Sequence, residues 1–303
     1  MDEISAALSR IPLFAGRVLD DLRIEPLESL TNRTYRIALG ADQFVLRIAG
    51  AGTASYIDRV GEAHNARLAA AIGIAPEVLH ADPASGLMLT RFIPASRPLA
   101  AADFRQPAIL ERAMDLLKRL HESGVSFQGR MELFPKLDQY MDLAARGGWP
   151  RGLDLTHARR AAEGARRALE RGGMPWGPCH IDPVPHNFVA GGTPERLYLL
   201  DWEYAAMCEP MWDLAGVSIE AELDETTDRV LLDAYFRADA PRQTGRFILY
   251  KALLNLLAAA WAVVQRVDGN PSTDFAAFAQ ARLSRHVALT ETAAYRTCVA
   301  EAS

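Results

Sequence analysis

Short runs mixing apolar and polar residues open the chain. Residues 23–27, 34–39 and 44–48 are rich in β-branched and aromatic side chains and are parted by Gly and Asp, the pattern of half-buried strands. Gly40, Ala41 and Asp42 form the turn between the last two. A short helix over 4–9 precedes them. A helix is predicted over 57–72, with Val60, Ala63, Leu68 and Ala71 available for one buried side and Gly73 as its stop. Residues 77–80 and 87–93 read as two more strands around a turn at 82–86. The pattern therefore predicts five antiparallel strands beside one helix.

The Pro-containing stretch 94–98 is loop-like, and after it the periodicity turns helical. Pro107 starts a helix to 123, with Leu110, Met114, Leu117 and Leu120 at steps of three or four. Helices over 137–146 and 155–171 follow. A strand–loop–strand segment comes next, and then helices over 211–222, 226–236, 245–267 and 273–295. The fold class expected is α+β: a small unit over 1–94 and a large, mostly helical one over 95–303.

Composition agrees with two units. The chain has 303 residues, half of them hydrophobic, which exceeds one typical core. Its net charge of −5 comes without any basic run, which argues against a nucleic-acid partner. The one long apolar stretch, 247–264, is interrupted by Lys251 and Asn255 and reads as a buried helix, so no transmembrane segment is expected. Cys179, Cys208 and Cys298 fit neither a zinc motif nor a disulfide framework, and a cytoplasmic location is expected. The N-terminal stretch is acidic and lacks the apolar core of a secretory signal.

The chemistry concentrates between Cys179 and Glu203. His180 and Asp182 form an H-x-D, Asn187 lies five residues past Asp182, and Asp201 follows the apolar run 197–200. Protein kinases space an Asp, an Asn and a second Asp in this manner. One carboxylate faces the attacking hydroxyl, while an amide oxygen and a second carboxylate hold Mg²⁺ against nucleotide phosphates.

The segment resembles the choline/ethanolamine kinases, within the wider kinase-like group that includes aminoglycoside phosphotransferases. Members carry C-H-N-D-x-x-x-x-N followed by D-F-E-Y-A. Here Cys179-His180-Ile181-Asp182 with Asn187 precedes Asp201-Trp202-Glu203-Tyr204-Ala205. Ile181 replaces the Asn and Trp202 the Phe, and neither change removes a metal ligand. The resemblance runs over roughly 27–261 and implies a two-lobed protein-kinase-like fold, ATP and Mg²⁺ as cofactors, and a small cationic alcohol as substrate. Asp182 is then the catalytic residue, and Asn187 and Asp201 are the metal ligands.

Three lysines occur, Lys118, Lys136 and Lys251, so the first hundred residues hold none. Arg47 takes the place of the phosphate-pairing lysine on the third strand, as it does in choline kinases. Arg brings a permanent charge and a planar fork to phosphate, and Glu62 on the following helix is its expected partner. Thr31 and Asn32, in the turn 29–34, are candidates for a phosphate cradle, with an ordinary polar hairpin as the equal alternative. Gly50-Ala51-Gly52 reads as a flexible turn. Phe92, in the stretch 88–93, marks the expected adenine-binding hinge.

For the acceptor, the candidates are Glu203, Tyr204, Trp212 and Trp261, because a quaternary ammonium is attracted to aromatic faces. Glu209, Asp213 and Glu220 are further carboxylates nearby in sequence. Core filling is the stronger reading for Trp202 and Trp212, and Tyr204 and Trp261 stay open. Asp213 resembles a family Asp that braces the catalytic loop. Choline is the first acceptor expected. Ethanolamine, thiamine, an amino sugar or an aminoglycoside is the alternative, and a non-catalytic nucleotide-binding module is the rival of another class.

Overall fold

The computed structural model describes residues 3–16, 22–27, 32–50, 57–149, 155–173, 175–270 and 272–301. Residues 29–31 of the turn, Thr31 among them, and residues 51–52 lie outside the described residues. In chain order, the elements begin with α1 (Glu3–Leu8), β1 (Arg23–Leu27), β2 (Arg33–Leu39), β3 (Asp42–Ile48), α2 (Arg59–Ala71), β4 (Val78–Asp82), β5 (Leu87–Arg91) and β6 (Arg97–Pro98). There follow α3 (Pro107–His121), α4 (Leu133–Gly147), α5 (Leu155–Glu170), β7 (Gly177–Cys179), β8 (Phe188–Gly191), β9 (Arg196–Leu199) and β10 (Ala206–Cys208). Helices α6 (Met211–Glu220), α7 (Glu225–Phe236), α8 (Ala240–Val267), α9 (Phe275–Thr290) and α10 (Ala293–Glu301) complete the chain.

Two compact units result. One takes Met1–Pro98 together with Phe127–Gly129 and Asn187–Ala206, and the other takes Leu99–Ser126, Arg130–His186 and Met207–Ser303. The first change of unit, after Pro98, lies four residues past the expected boundary at 94. The later returns at 127–129 and 187–206 carry no composition signal in the sequence.

In the first unit, five antiparallel strands run in the order β1-β2-β3-β5-β4, as the pattern predicts. Alternation along β3 sends Phe44 and Leu46 inward, where they meet Leu8, Ile11 and Phe14 from the N-terminal segment and Leu87 and Leu89 from β5. Each such side chain contributes about 1.5–3 kcal/mol by leaving water. Asp58 caps α2 by accepting from the Val60 and Gly61 N–H groups at 3.1 Å.

The buried face of α2 is not the expected one. Val60 is 58 % exposed, Ala71 is exposed and Leu68 half-buried, so of the four only Ala63 belongs to it. Arg59, Glu62 and Asn65 are buried instead, beside Ala66 and Ala69. Ion pairs and hydrogen bonds therefore hold this face together with the small alanines.

A second sheet in the same unit has the order β6-β8-β9. Its strand β6 lies in the stretch expected to be linker, and Arg97 and Pro98 pair with Ala190 and Val189. The β8–β9 hairpin is tied down by the Leu199 N–H, which donates to the Ile74 carbonyl at 2.9 Å.

The second unit is helical around α3 and α8. Leu110, Met114, Leu117 and Leu120 are fully buried on the expected side of α3. Among the described residues, one stretch, Glu225–Val267, is long and apolar enough to cross a membrane, but 78 % of its most apolar window is buried within the protein. Its polar interruptions are held inside: Lys251 pairs with Asp228, and Asn255 donates to the Lys251 carbonyl at 2.8 Å, its Oδ1 staying without a hydrogen-bond partner. The helix expected over 273–295 is two, α9 and α10. Thr292 divides them by donating to the Leu289 carbonyl and accepting the Tyr295 N–H, closing one helix and capping the next.

Candidate active site

Within the first unit, the hairpin fixes where the predicted metal ligands lie. Phe188 pairs with Leu199, and the Leu200 N–H donates to the Asn187 carbonyl at 2.9 Å. Asn187 and Asp201 thus emerge at the same open end of the hairpin. Asp201 has φ +65°, a left-handed backbone that suits a short polar residue.

A cluster of charges surrounds Asp201. Arg47 of β3 donates to Glu62 of α2 and lies 3.8 Å from Asp201. Arg59 donates to the second oxygen of Glu62 at 2.7 Å and lies 3.7 Å from Glu203. Carboxylate oxygens of Glu62, Asp201 and Glu203 all fall within 4.8 Å of one another. Burial alone would raise the Glu62 carboxyl, but Arg47 and then Arg59 overcome it and hold the group below its usual range. Arg47 is likewise opposed by burial and raised by Glu62, then Asp201 and Glu203.

Glu203 goes the other way. Burial first, then the Asp201 and Glu62 carboxylates, push it up to about 7 against the pull of Arg47 and Arg59. Three carboxylates against two guanidiniums leave an excess of negative charge. The buried atoms without hydrogen-bond partners include Asp201 Oδ1 and Glu203 Oε2, and also Arg47 Nε and Nη2. Leaving a buried polar atom unpaired costs roughly 1–3 kcal/mol. Hard oxygen donors suit Mg²⁺, and the two open guanidinium N–H groups suit a phosphate, so these residues fit a divalent cation and a nucleotide. Asn32 is buried and accepts the Gly50 N–H at 3.3 Å. The Phe92 N–H is used within the sheet by the Gln43 carbonyl, and Arg36 lies over its ring at 4.5 Å.

Within the second unit, β7 delivers the H-x-D. Asp182 is half-buried in the loop after it. Ile181, before Asp182, has φ +73°, a conformation a β-branched side chain rarely adopts. Both peptide groups of Ile181 are held: its N–H donates to Asp213 at 2.8 Å, and its carbonyl accepts the Trp212 indole N–H at 3.0 Å. Asp213, fully buried, also accepts the His180 N–H at 2.7 Å and the His121 Nε2–H at 3.0 Å. His121 Nδ1 then accepts from the Tyr235 hydroxyl at 2.8 Å. Two glycines permit the close packing. A Cβ on Gly216 would lie 2.8 Å from the Pro183 ring, and one on Gly177 would lie 2.6 Å from the His121 carbonyl oxygen.

Asn tolerates the left-handed region better than Ile, so Ile181→Asn is expected to raise the melting temperature by a few degrees. It removes about 1 kcal/mol of backbone strain without changing either anchor. A melting curve checks this, and a lowered midpoint would show that the Ile side chain contributes more by packing.

The acceptor candidates separate. Trp212 is 5 % exposed and braces the Ile181 carbonyl, so it offers no open aromatic face. Trp261 is half-buried, edge-on to Phe275 and Phe278 at 5.5 and 6.1 Å. Tyr204 is half-buried. Trp202 is core, edge-on to Phe127. Glu209 is taken by Arg246 and Tyr250, Glu220 by both oxygens to Arg282, and Asp213 by the loop. Arg59 and Asn65 are site residues that the sequence pattern does not single out. Their one signal in the sequence is the i, i+3, i+6 spacing of Arg59, Glu62 and Asn65, which puts polar groups on one helix face.

Comparison with known proteins follows this geometry. Residues 23–250 match the phosphotransferase enzyme family. The crystal structure of a choline/ethanolamine kinase family protein from Mesorhizobium loti is 38 % identical with a TM-score of 0.87, covering 99 % of this chain and 98 % of that one. The choline kinase LicA from Streptococcus pneumoniae is 25 % identical with a TM-score of 0.74, covering 88 % and 94 %, and LicA in complex with AMP matches with a TM-score of 0.71. Protein LicA of Haemophilus influenzae is 27 % identical over 260 residues, 82 % of this chain and 94 % of that protein.

Proposed function

The chain belongs to the phosphotransferase enzyme family and, within it, to the choline/ethanolamine kinases, and from that premise we propose that it transfers the γ-phosphoryl group of ATP to the hydroxyl of a small amino alcohol, with choline the first candidate. The observation that carries this reading is the pairing of opposite needs in one cluster. Arg47 Nε and Nη2 are buried without hydrogen-bond partners, and Asp201 Oδ1 and Glu203 Oε2 accept no hydrogen bond although guanidinium nitrogens lie 3.8 and 3.7 Å away. A metal-bound triphosphate answers both.

In this reading Arg47 clamps phosphate oxygens while Glu62, itself held by Arg59, keeps the fork in place. Asp201 and Asn187 would hold Mg²⁺. Bound there, the cation draws charge off the phosphate oxygens. Asp182 orients the acceptor hydroxyl and takes its proton, and its loop is kept rigid by Asp213. Thr31 and Asn32 remain candidates for the phosphate turn, and Phe92 for the adenine end. The LicA complex with AMP supports an adenine nucleotide. Choline is favoured by Trp261, Tyr204 and Glu203 as acceptor candidates, and by the relatives named as choline kinases.

ADP release from ATP, measured with choline, ethanolamine, thiamine, an amino sugar and an aminoglycoside, tests the proposal. Choline is expected to give the highest kcat/KM, and chelation of Mg²⁺ to stop the reaction. A higher value for another alcohol moves the acceptor to it. No acceptor-dependent release with any of them would leave a nucleotide-binding module.

Trp261→Ala is expected to raise the choline KM about two- to thirtyfold, from the loss of one aromatic face worth roughly 0.5–2 kcal/mol, and to leave the ATP KM in place. A core Trp behaves differently, since truncation costs about 3–5 kcal/mol of stability. An unchanged choline KM beside a sharply lowered melting temperature would return Trp261 to the core.

A further inference from the structure

Asn65 has a side chain whose every polar group is used. It is fully buried on α2, one turn past Glu62. Its Nδ2 donates to the Ala205 carbonyl at 2.7 Å and to the Gln128 carbonyl at 3.1 Å. Its Oδ1 accepts the Gln128 N–H at 2.8 Å. These partners belong to the segments 127–129 and 187–206, which join the first unit from far along the chain. No other residue type supplies two donors and one acceptor at this reach: Asp has no donor when ionised, and Leu has neither.

The turn that Asn65 grips carries the chemistry. Asp201 sits at φ +65°, and the Ala205 N–H closes the turn onto the Trp202 carbonyl at 3.1 Å. Phe127 meets the Trp202 ring edge-on, with centroids 5.8 Å apart. The tripeptide 127–129 therefore holds the turn at Trp202 through a ring and at Ala205 through the Asn65 amide. The same helix that presents Glu62 to Arg47 also sets the height of the turn presenting Asp201 and Glu203.

We propose that Asn65 is a positioning residue that fixes the Asp201–Glu203 turn relative to the Arg47–Glu62 pair, and so governs binding of a metal-bound nucleotide. This rests on the kinase reading above. It acts through other residues: Asn65 touches neither phosphate nor metal.

The test is Mn²⁺-dependent binding of a non-hydrolysable ATP analogue to the full chain, by calorimetry, beside melting curves. Asn65→Ala is expected to raise the Mn²⁺ midpoint at least about tenfold at a temperature where it is folded. A purely structural role would lower the melting temperature and leave that midpoint at the wild-type value, which would overturn the proposal. Should Asn65→Ala not fold, Gln128→Pro decides, because it removes one of the three bonds from an exposed position. A midpoint raised about threefold or more supports the proposal, and an unchanged one overturns it. Wild-type protein that binds the analogue with Mn²⁺ yet phosphorylates no alcohol would refute the reaction and leave the placement of Asn65 intact. Variants that bind and transfer like wild type would do the reverse.

Discussion

Asp201→Asn is expected to lower kcat by at least about a hundredfold, the scale of losing one preorganised electrostatic group, while the protein stays folded. The substitution keeps volume and removes the charge offered to the metal. It breaks no hydrogen bond at Oδ1, which has none, and gives up only the ion pair with Arg47 at 3.8 Å. It also keeps a residue type that accepts φ +65°. The melting temperature should therefore stay near wild type. The same variant has a second readout. Glu203 has a folded pKa of about 7 against an ordinary 4.5, raised by burial and then by Asp201 and Glu62. A raised carboxyl contributes stability fully below pH 4.5 and loses it as pH rises through about 7. In chelator, wild-type stability from this group should fall between pH 4.5 and about pH 7, the span between those two values, and removing the Asp201 charge should flatten that fall. Turnover like wild type at ordinary Mg²⁺ would take Asp201 out of the metal site.

The sheet was legible because its strands are half-buried and alternate, and because Gly and Asp mark the turns between them. The long helices were legible for the same reason, as α3 illustrates with four fully buried apolar residues at steps of three or four. The motif loop was legible through spacing, since a hairpin returns Asn187 and Asp201 to one end whatever fills its strands. The face of α2 was misread because apolar periodicity points away from it. Val60, expected on the buried side, is exposed, while Arg59 and Asn65, which the apolar pattern does not mark, are buried. A charged residue is buried only when partners compensate it; Glu62 does so for Arg59 from the same helix, but the other partners, Glu203 for Arg59 and Gln128 and Ala205 for Asn65, lie 63 to 144 residues away. Strand β6 escaped for a related reason: two residues have no period, and their pairing is set by β8.

Asp213→Asn is expected to be the most damaging single-atom change in the second unit. Both oxygens of Asp213 accept, Oδ2 from the His180 N–H and from His121, and Oδ1 from the Ile181 N–H. An amide supplies one oxygen and one NH₂, so an N–H donor must face another donor in a site with no water access. Losing one or two hydrogen bonds to a buried charge costs about 2–4 kcal/mol, which lowers the melting temperature by roughly 4–16 °C for units of this size. Activity should fall further than folding does. Ile181 stays at φ +73° because its N–H and its carbonyl are both anchored, and without the Asp213 anchor the peptide can relax toward the extended region. That relaxation turns the backbone leading into Asp182. The coupling is measurable. Ile181→Asn removes the incentive to relax, so it should return part of the lost kcat in the double variant, although it touches neither Asp213 nor substrate. An interaction energy of about 0.5 kcal/mol or more between the two sites would express this. If kcat per folded molecule is unaltered in Asp213→Asn, or if the two effects simply add, Asp213 holds the fold together without holding Asp182 in place.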